Sequence, residues 1–164
     1  MKTLKQLLET LPQRGTVVWI GVRPARRTPM HSLERVVVSP EAGLEGDRYS
    51  GRSKSRQVTL LQAEHLDVVA SCIGLQAIPP ELLRRNLVVK GLNLLALKDK
   101  RFFVGDAELE FTGKCHPCSR MEELLGPGGY NAVRGHGGIT ARVVTAGAIC
   151  ISDPVLSSGS VISN

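Results

Sequence analysis

The chain has 164 residues, of which 42% are hydrophobic and 22% are charged; this is enough apolar side chain for a folded core and excludes a disordered chain. Its 17 glycines and 9 prolines favour turns and short strands over a helical bundle. The net charge of +6 suits an anionic partner, whereas the 4% of aromatic residues argue against a basic nucleic-acid-binding module that stacks on bases.

The first half of the chain mixes short helices with strands. Four leucines, at positions 4, 7, 8 and 11, follow a helical period and predict an amphipathic helix over residues 3–11 that ends before Pro12. The further predicted elements are a strand at 15–22, an exposed basic loop at 23–30, a strand at 33–39, a long polar loop at 41–55, a strand at 57–61 that leads into a helix, and a helical turn after Pro80.

The second half is mostly β. Predicted strands at 101–104 and 107–112 form a hairpin around Gly105 and Asp106. The other predicted elements are strands at 86–89, 139–145, 148–152 and around Val155, a helix at 119–125, and a glycine-rich loop at 126–138. This order predicts a mainly β (β-rich α+β) barrel or sandwich, and the alternating βαβ pattern of a doubly wound sheet is missing. Without an internal repeat or a linker, we expect a single domain over residues 1–164.

The four cysteines are too few for a disulfide scaffold. No apolar stretch approaches the ~20 residues of a membrane-spanning helix, and an acidic residue, Glu9, interrupts the start of the chain before a signal-peptide core could form. We therefore expect a cytosolic protein with reduced thiols and no membrane partner. Cys72 and Cys150 stand beside apolar residues and are predicted to be core residues.

The segment from Lys114 to Leu125 carries the clearest chemical signal. Ser119 and Glu122 match an S-x-x-E capping box, which would begin a helix and place Cys118 just ahead of it. The partial positive charge of a helix N-terminus, together with the cations Lys114 and Arg120, favours a thiolate there. Such a thiolate suits a nucleophile, a sulfur carrier or a ligand to a soft metal.

A lone Cys-x-x-Cys pair is also typical of small buried side chains, so Cys115 and Cys118 alone do not establish a site. Zinc would need two more ligands; His116 and His136 are available, but a second Cys-x-x-Cys is not. A thioredoxin-type site would sit near a βαβ pattern, which the sequence does not display.

A second candidate group is basic. Asp47 and Arg48 stand at the tip of the long polar loop, and Arg84, Arg85 and Asn86 follow the predicted helical turn, where at most two of the three side chains share a face. Two arginines that converge on a cleft suit a phosphate ester, because a guanidinium binds phosphate through two hydrogen bonds. The alternative is a solvated surface with ion pairs, such as Asp47 with an arginine.

Taken in order, these segments resemble the MOSC family, which is named for the carboxy-terminal domain of molybdenum cofactor sulfurase. The matching pieces span about residues 36–156: GLEGDR at 43–48, LRRNLVVKG at 83–91, FVGDAEL at 103–109, Pro117-Cys118, GGITARVV at 137–144 and DPV at 153–155. The chain resembles the small stand-alone bacterial members more than the large sulfurases, which add a pyridoxal-phosphate domain.

The resemblance implies a distorted closed β-barrel with a few short peripheral helices. It also implies binding of the molybdenum cofactor (molybdopterin), and an oxidoreductase that reduces N-hydroxylated compounds. Cys118 would be the catalytic cysteine and the molybdenum ligand, and Arg142 would be structural. The expected cofactor-binding residues are Arg48, Arg84, Asn86, Asp47, His116 and Arg120.

Two features depart from the family pattern or leave the role open. The closing motif has Ser152 where the family has glycine, and Cys115 is not a general family feature, so it is either a neighbour of the site or a resolving thiol for Cys118.

An enzyme would need a separate electron-donor protein, since the chain has no flavin, haem or iron–sulfur motif. The alternative is a sulfur or cofactor carrier that bears a Cys118 persulfide, loaded by a pyridoxal-phosphate-dependent cysteine desulfurase.

Overall fold

The fold is seen in a computed structural model, which describes residues 1–49 and 51–159. The strands are β1 (Gly15–Val22), β2 (His31–Leu33), β3 (Arg35–Ser39), β4 (Gly43–Leu44), β5 (Val58–Gln62), β6 (Leu87–Lys90), β7 (Arg101–Val104), β8 (Ala107–Lys114), β9 (Ile139–Thr145), β10 (Gly147–Cys150) and β11 (Pro154–Ser157). The helices are α1 (Leu4–Glu9), α2 (Ala63–Cys72), α3 (Ser119–Leu125) and α4 (Gly129–Val133), with 3₁₀ turns at Pro80–Leu83 and Leu94–Leu97.

Seven strands close into a mixed barrel in the order β1-β6-β5-β9-β8-β7-β11. The barrel closes at β1, which pairs with β6 along one edge and with β11 at Gly15 and Thr16 along the other. Strands β5 and β6 are parallel, and α2 makes the crossover between them, so the barrel contains one βαβ unit that the sequence pattern did not display. Strand β2 pairs antiparallel with the end of β1, outside the barrel order. Strands β10, β3 and β4 form a second small sheet. The prediction of a mainly β closed barrel is confirmed.

Two apolar clusters hold the barrel and its helices together. The first fills the barrel, with fully buried Ile20, Leu60 and Phe102 among its members. Each side chain of this size contributes about 1.5–3 kcal/mol by its burial. The second cluster lies under the helices, where Met121 of α3 and Leu83 of the 3₁₀ turn are both buried. This packing holds the start of α3 beside the residues that follow the turn.

Several predicted elements have different bounds. The predicted strand at 33–39 is two strands, because the chain leaves β2, which pairs with β1, at Glu34 and enters β3 of the small sheet. The predicted glycine-rich loop at 126–138 contains α4, and β10 ends at Cys150 because Ser152 turns the chain with a positive φ of 75°. The 3₁₀ turn at Leu94–Leu97 was not predicted.

The cysteines predicted to lie in the core are not buried. Cys72 is exposed; it is the last residue of α2, and the buried residues of that helix are Val69 and Ala70. Cys150 is half-buried, because it follows the fully buried Ile149 in β10 and successive strand residues face opposite sides. The N-terminal helix is present over Leu4–Glu9, but none of its residues is buried.

Candidate functional site

Four loop segments meet at one end of the barrel and carry the candidate site. They are the β1–β2 loop, the segment between β4 and β5, the two residues after the 3₁₀ turn at Pro80–Leu83, and the segment between β8 and α3. Together they enclose a cleft of about 300 Å³, here named the arginine cleft. Its lining residues are Arg23, Arg26, Arg27, Arg48, Arg56, Arg84, Arg85, His116, Cys118, Ser119, Arg120 and Met121.

Cys118 lies at the N-cap of α3 and lines the arginine cleft with its side chain accessible. Its position just before the helix was predicted, but the predicted capping box is wrong. Because Cys118 itself is the cap, Ser119 is already the first helical residue. The Glu122 carboxylate reaches forward instead and accepts hydrogen bonds from the backbone N–H groups of Gly128 and Tyr130 at 2.7 and 2.9 Å.

Arg84 and Arg85 both line the arginine cleft, although they are consecutive. Arg84 has a left-handed backbone conformation, with φ of 56°, so the alternation of side chains that an extended segment would impose is interrupted here. The Arg84 guanidinium donates a 2.7 Å hydrogen bond to the Thr28 carbonyl. Burial, followed by the charges of nearby arginines, lowers the pKa of Arg84, as expected where like charges are crowded.

Asp47 lies beneath the cleft in an internal network, with a side chain that is 1% exposed. Its carboxylate accepts hydrogen bonds from the backbone N–H and the side chain of Arg23 and from the Asn86 amide at 3.2 Å. Burial by itself would raise the pKa of Asp47, but the hydrogen bonds and charge of Arg23 outweigh it and leave that pKa below its usual value. Asn86 is fully buried and also bonds to Thr59 and Gly21.

The site has many more cations than anions. Asp47 neutralises Arg23, and at the rim Glu123 pairs with Arg27 at 3.6 Å and with Arg120 at 2.6 Å. The hydrogen bond from Arg120 lowers the pKa of Glu123. Among the described residues, the other cleft arginines have no carboxylate within salt-bridge distance; they are Arg26, Arg48, Arg56, Arg84 and Arg85. Such a cleft is suited to a ligand with several negative charges.

The predicted site residues fall into two layers. Those that line the cleft together with Cys118 are Arg48, Arg84, His116 and Arg120. Asp47 and Asn86 form the layer below, where their polar groups are engaged by Arg23, Thr59 and Gly21. Their predicted contact with a cofactor stays a prediction. In the structure, their hydrogen bonds hold Arg23 and the start of β6 in place.

Arg56 and Arg85 line the cleft but were not among the predicted cofactor-binding residues. Arg85 stood beside the predicted Arg84, but choosing between neighbours requires the φ angle of Arg84, which the sequence does not reveal. Arg56 lies at the end of the long polar loop, and its Nη2 donates to the Cys115 sulfur at 3.7 Å. The sequence signal available for Arg56 was its position beside a loop that holds several basic residues.

A second cavity of about 220 Å³ lies beside the arginine cleft, with His116 on the wall between them. Lys114 lines this second cavity and not the cleft, so its predicted contribution to the field at Cys118 is not supported by its position. Cys115 is buried in the same wall. His65 also lines this cavity, and burial, followed by the nearby His136, lowers the pKa of His65.

Within residues 1–49 and 51–159, no group of three or more His, Cys, Asp or Glu side chains is arranged to hold a metal ion. In that part of the chain, the two cysteines of the Cys-x-x-Cys pair are therefore not gathered with His116 and His136 into a zinc site. In the same part of the chain, no helix has the length and apolar character needed to span a membrane.

The comparison with known proteins agrees with the fold. The model of the MOSC domain family matches residues 46–156. The YuaD protein from Bacillus subtilis has a TM-score of 0.73 at 19% identity, over 87% of this chain and 94% of its own. Comparison with curated proteins gives no significant match.

Two further solved structures share the fold. YiiM from Geobacillus stearothermophilus has a TM-score of 0.68 at 16% identity, over 87% of this chain and 74% of its own. YiiM from Escherichia coli has a TM-score of 0.66 at 17% identity, over 87% of this chain and 69% of its own. The family match covers most of the barrel and three of the four loop segments; the segment at 23–30 lies outside it. The chain therefore belongs to the MOSC domain family.

Proposed function

We propose that this MOSC protein binds the molybdenum–pterin cofactor in the arginine cleft, with Cys118 as the protein's ligand to molybdenum. The observation that carries the proposal is the placement of an accessible thiol in a cleft whose arginines outnumber its carboxylates. A soft thiolate suits a metal that is already bound by sulfur, and guanidinium groups suit a phosphate.

The donor set fits a metal that brings its own ligands. The described residues contain no cluster that would hold a bare metal ion, whereas one accessible thiolate is sufficient for a metal that is already coordinated by a cofactor. The Nε of Arg120 is buried without a hydrogen-bond partner in the described part of the chain. Unsatisfied buried donors are uncommon, and an anionic group in the cleft would satisfy this one.

The phosphate of the cofactor would lie against the unpaired arginines. Arg48 and Arg84 are the predicted contacts, and both line the cleft. Asp47 holds Arg23 at the floor through two side-chain hydrogen bonds, so that Arg23 shapes the cleft while its charge is neutralised. The remaining arginines then define where the negative charge of the ligand lies.

When bound, molybdenum supplies oxygen-atom transfer chemistry. For an N-hydroxylated substrate, two electrons and two protons convert the N–OH group to N–H and release one water. The electrons would come from a separate electron-donor protein. His116 lines the cleft beside Cys118 and lies on the wall to the second cavity, where it is available to donate a hydrogen bond or a proton to a bound substrate.

The test is molybdenum and pterin analysis of protein purified from cells that make the cofactor. We expect Cys118→Ser to lower the bound molybdenum by about tenfold or more, since loss of even an outer partner of a metal site costs about 10–100-fold in affinity. Cys72→Ser is the matched control, because Cys72 is also exposed but lies at the end of α2, outside the cleft. Molybdenum at background level in the unsubstituted protein, or equal content in both variants, would overturn the proposal.

A carrier role for Cys118 is a second candidate, favoured by the accessibility of this thiol. A cysteine desulfurase persulfide would transfer its terminal sulfur to the Cys118 thiolate, which becomes a persulfide while the desulfurase thiolate leaves. Intact mass spectrometry after incubation with a desulfurase and cysteine separates the two roles. A carrier gains about 32 Da, one sulfur atom, and Cys118→Ser does not.

A further inference from the structure

The guanidinium of Arg85 joins three separate segments beneath Cys118. Its Nε donates to the Gly137 carbonyl at 2.8 Å and its Nη1 to the Leu83 carbonyl at 2.9 Å. Its Nη2 is 3.4 Å from the carbonyls of both Cys115 and His116. Four acceptors therefore hold one planar group, and two of them belong to the segment that leads to Cys118.

The charge of Arg85 is deeply placed and lacks a carboxylate partner. The residue is 7% exposed, and none of the salt bridges found among the described residues includes it. Burial is the main cause that lowers the pKa of Arg85, and the charges of Arg56 and Arg23 act in the same direction. The anionic forms of Cys115 and Cys118 are the groups that oppose this effect.

A buried cation without a counter-ion is costly. Carbonyl hydrogen bonds orient the guanidinium but do not neutralise its charge. An anion that enters the cleft beside Cys118 would supply the missing negative charge, since Arg85 and Cys118 line the same cleft. We propose that Arg85 is a positioning residue. The hydrogen-bonded fork of its guanidinium nitrogens fixes the segment that carries Cys118, and its charge attracts an anionic group to the Cys118 sulfur.

The proposal deepens the proposed function, since the attracted group would be the anionic part of the cofactor or a persulfide, but its test needs neither. Gly137 supports it independently. A Cβ at this position would overlap the Cys115 carbonyl oxygen and lie 3.2 Å from the Arg85 Nη2. The close approach of these three residues thus depends on a missing side chain.

The experiment compares the alkylation of Cys118 by iodoacetate, which is anionic, and by iodoacetamide, which is neutral. Both reagents attack the same thiolate, so the ratio of their rates is independent of how much thiolate is present. The ratio reports the charge around the sulfur. Peptide mass spectrometry assigns each rate to its cysteine, and the exposed Cys72 of the same molecule is the internal reference.

We expect a higher iodoacetate-to-iodoacetamide ratio at Cys118 than at Cys72. Arg85→Met should lower the Cys118 ratio about threefold, the order of magnitude expected when one unit charge is removed from a cleft that solvent can enter. Arg85→Lys keeps the charge without the fork, so the ratio should be retained while both rates change together. Arg101→Met, an exposed arginine outside the cleft, should have no effect. An unchanged ratio in folded Arg85→Met would overturn the proposal.

A measurement on the unsubstituted protein covers the case in which Arg85→Met does not fold. In ¹⁵N-labelled protein, the Arg85 Nε–H should exchange slowly, because it is buried and bonded to Gly137. Its resonance should shift more when Cys118 is carboxymethylated than when it is carbamidomethylated. Equal shifts would overturn the proposal. If the unsubstituted protein binds no molybdenum but the reagent ratio at Cys118 still depends on Arg85 as expected, only the proposed function is refuted.

Discussion

The Asp47 carboxylate and the Arg23 guanidinium form a nearly buried pair at the floor of the arginine cleft. The Arg23 Nη2 lies 2.9 Å from one carboxylate oxygen, and its Nε and backbone N–H bond to the other. The side chains are 15% and 1% exposed for Arg23 and Asp47. The pair neutralises one cleft arginine and ties the start of the β1–β2 loop to the segment after β4.

This pair predicts acid sensitivity. The pKa of Asp47 is lower in the folded protein than its ordinary value of 3.8, so its stabilisation is fully present above about pH 4 and is lost as the pH falls through the lowered value. We expect Asp47→Asn to reduce the free energy of unfolding at pH 7 by about 3 kcal/mol, because it leaves Arg23 uncompensated.

Urea unfolding between pH 7 and pH 3 measures this effect. The difference between the unsubstituted protein and Asp47→Asn should shrink as the pH falls below about 4. Glu45→Gln removes an exposed carboxylate nearby and serves as the control. A difference that stays constant over the whole pH range would contradict the assignment of the stabilisation to the ionised carboxylate.

The arginine cleft predicts phosphate binding that depends on particular arginines. We expect Arg84→Gln to weaken the binding of inorganic pyrophosphate roughly tenfold, since a hydrogen bond to a charged group contributes about 1.5–3 kcal/mol. Calorimetric titration at fixed salt concentration gives the dissociation constants. Arg101→Gln, outside the cleft, should bind as the unsubstituted protein does. Equal weakening in both variants would indicate a general charge effect.

Gly138 predicts a large loss of stability on substitution. It has φ of +87°, and a Cβ there would overlap the Leu60 carbonyl oxygen in the barrel wall. Gly74 has φ of +76° and no atom within 4 Å of the corresponding position. Gly74→Ala should therefore cost about 1–2 kcal/mol for the left-handed conformation alone, and Gly138→Ala should cost clearly more. Thermal unfolding compares them, and equal losses would show that the wall relaxes around the added methyl group.

Glu122 predicts local protection between α3 and α4. Hydrogen bonds from the backbone N–H groups of Tyr130 and Gly128 lower the pKa of Glu122. Glu122→Ala should speed amide hydrogen exchange at Gly128 and Tyr130, because both N–H groups lose their acceptor. The neighbouring Glu123→Ala should leave these two amides unchanged, since Glu123 pairs with Arg27 and Arg120. Unchanged exchange in Glu122→Ala would contradict the assigned contacts.

Local patterns in the sequence predicted much of the barrel. The β-branched run at 15–22 is β1, and the hairpin around Gly105 and Asp106 joins β7 to β8. These elements are specified by side-chain alternation and turn residues over a few positions. The splitting of the strand at 33–39 was missed, because both halves are extended and only sheet partners distinguish β2 from β3. The capping box was misassigned, because Glu122 finds its partners six and eight residues later.

The candidate site was predicted in part for the same reason. Cys118 at the start of a helix is a local feature and is found there. The choice between Arg84, Arg85 and Asn86 depended on the backbone conformation of Arg84. Asp47 belonged to the long polar loop by sequence, but its partners Arg23 and Asn86 come from segments far from it along the chain.

By itself, the sequence determined a β-rich chain of positive charge with a thiol ahead of a short helix, since propensity, charge and spacing are properties of neighbouring residues. Only the tertiary structure decided which arginines surround that thiol, which carboxylates neutralise them, and that Arg85 lies beneath Cys118. The reason is that these relations join four loops through barrel closure and through one left-handed residue, and neither leaves a repeating pattern along the chain.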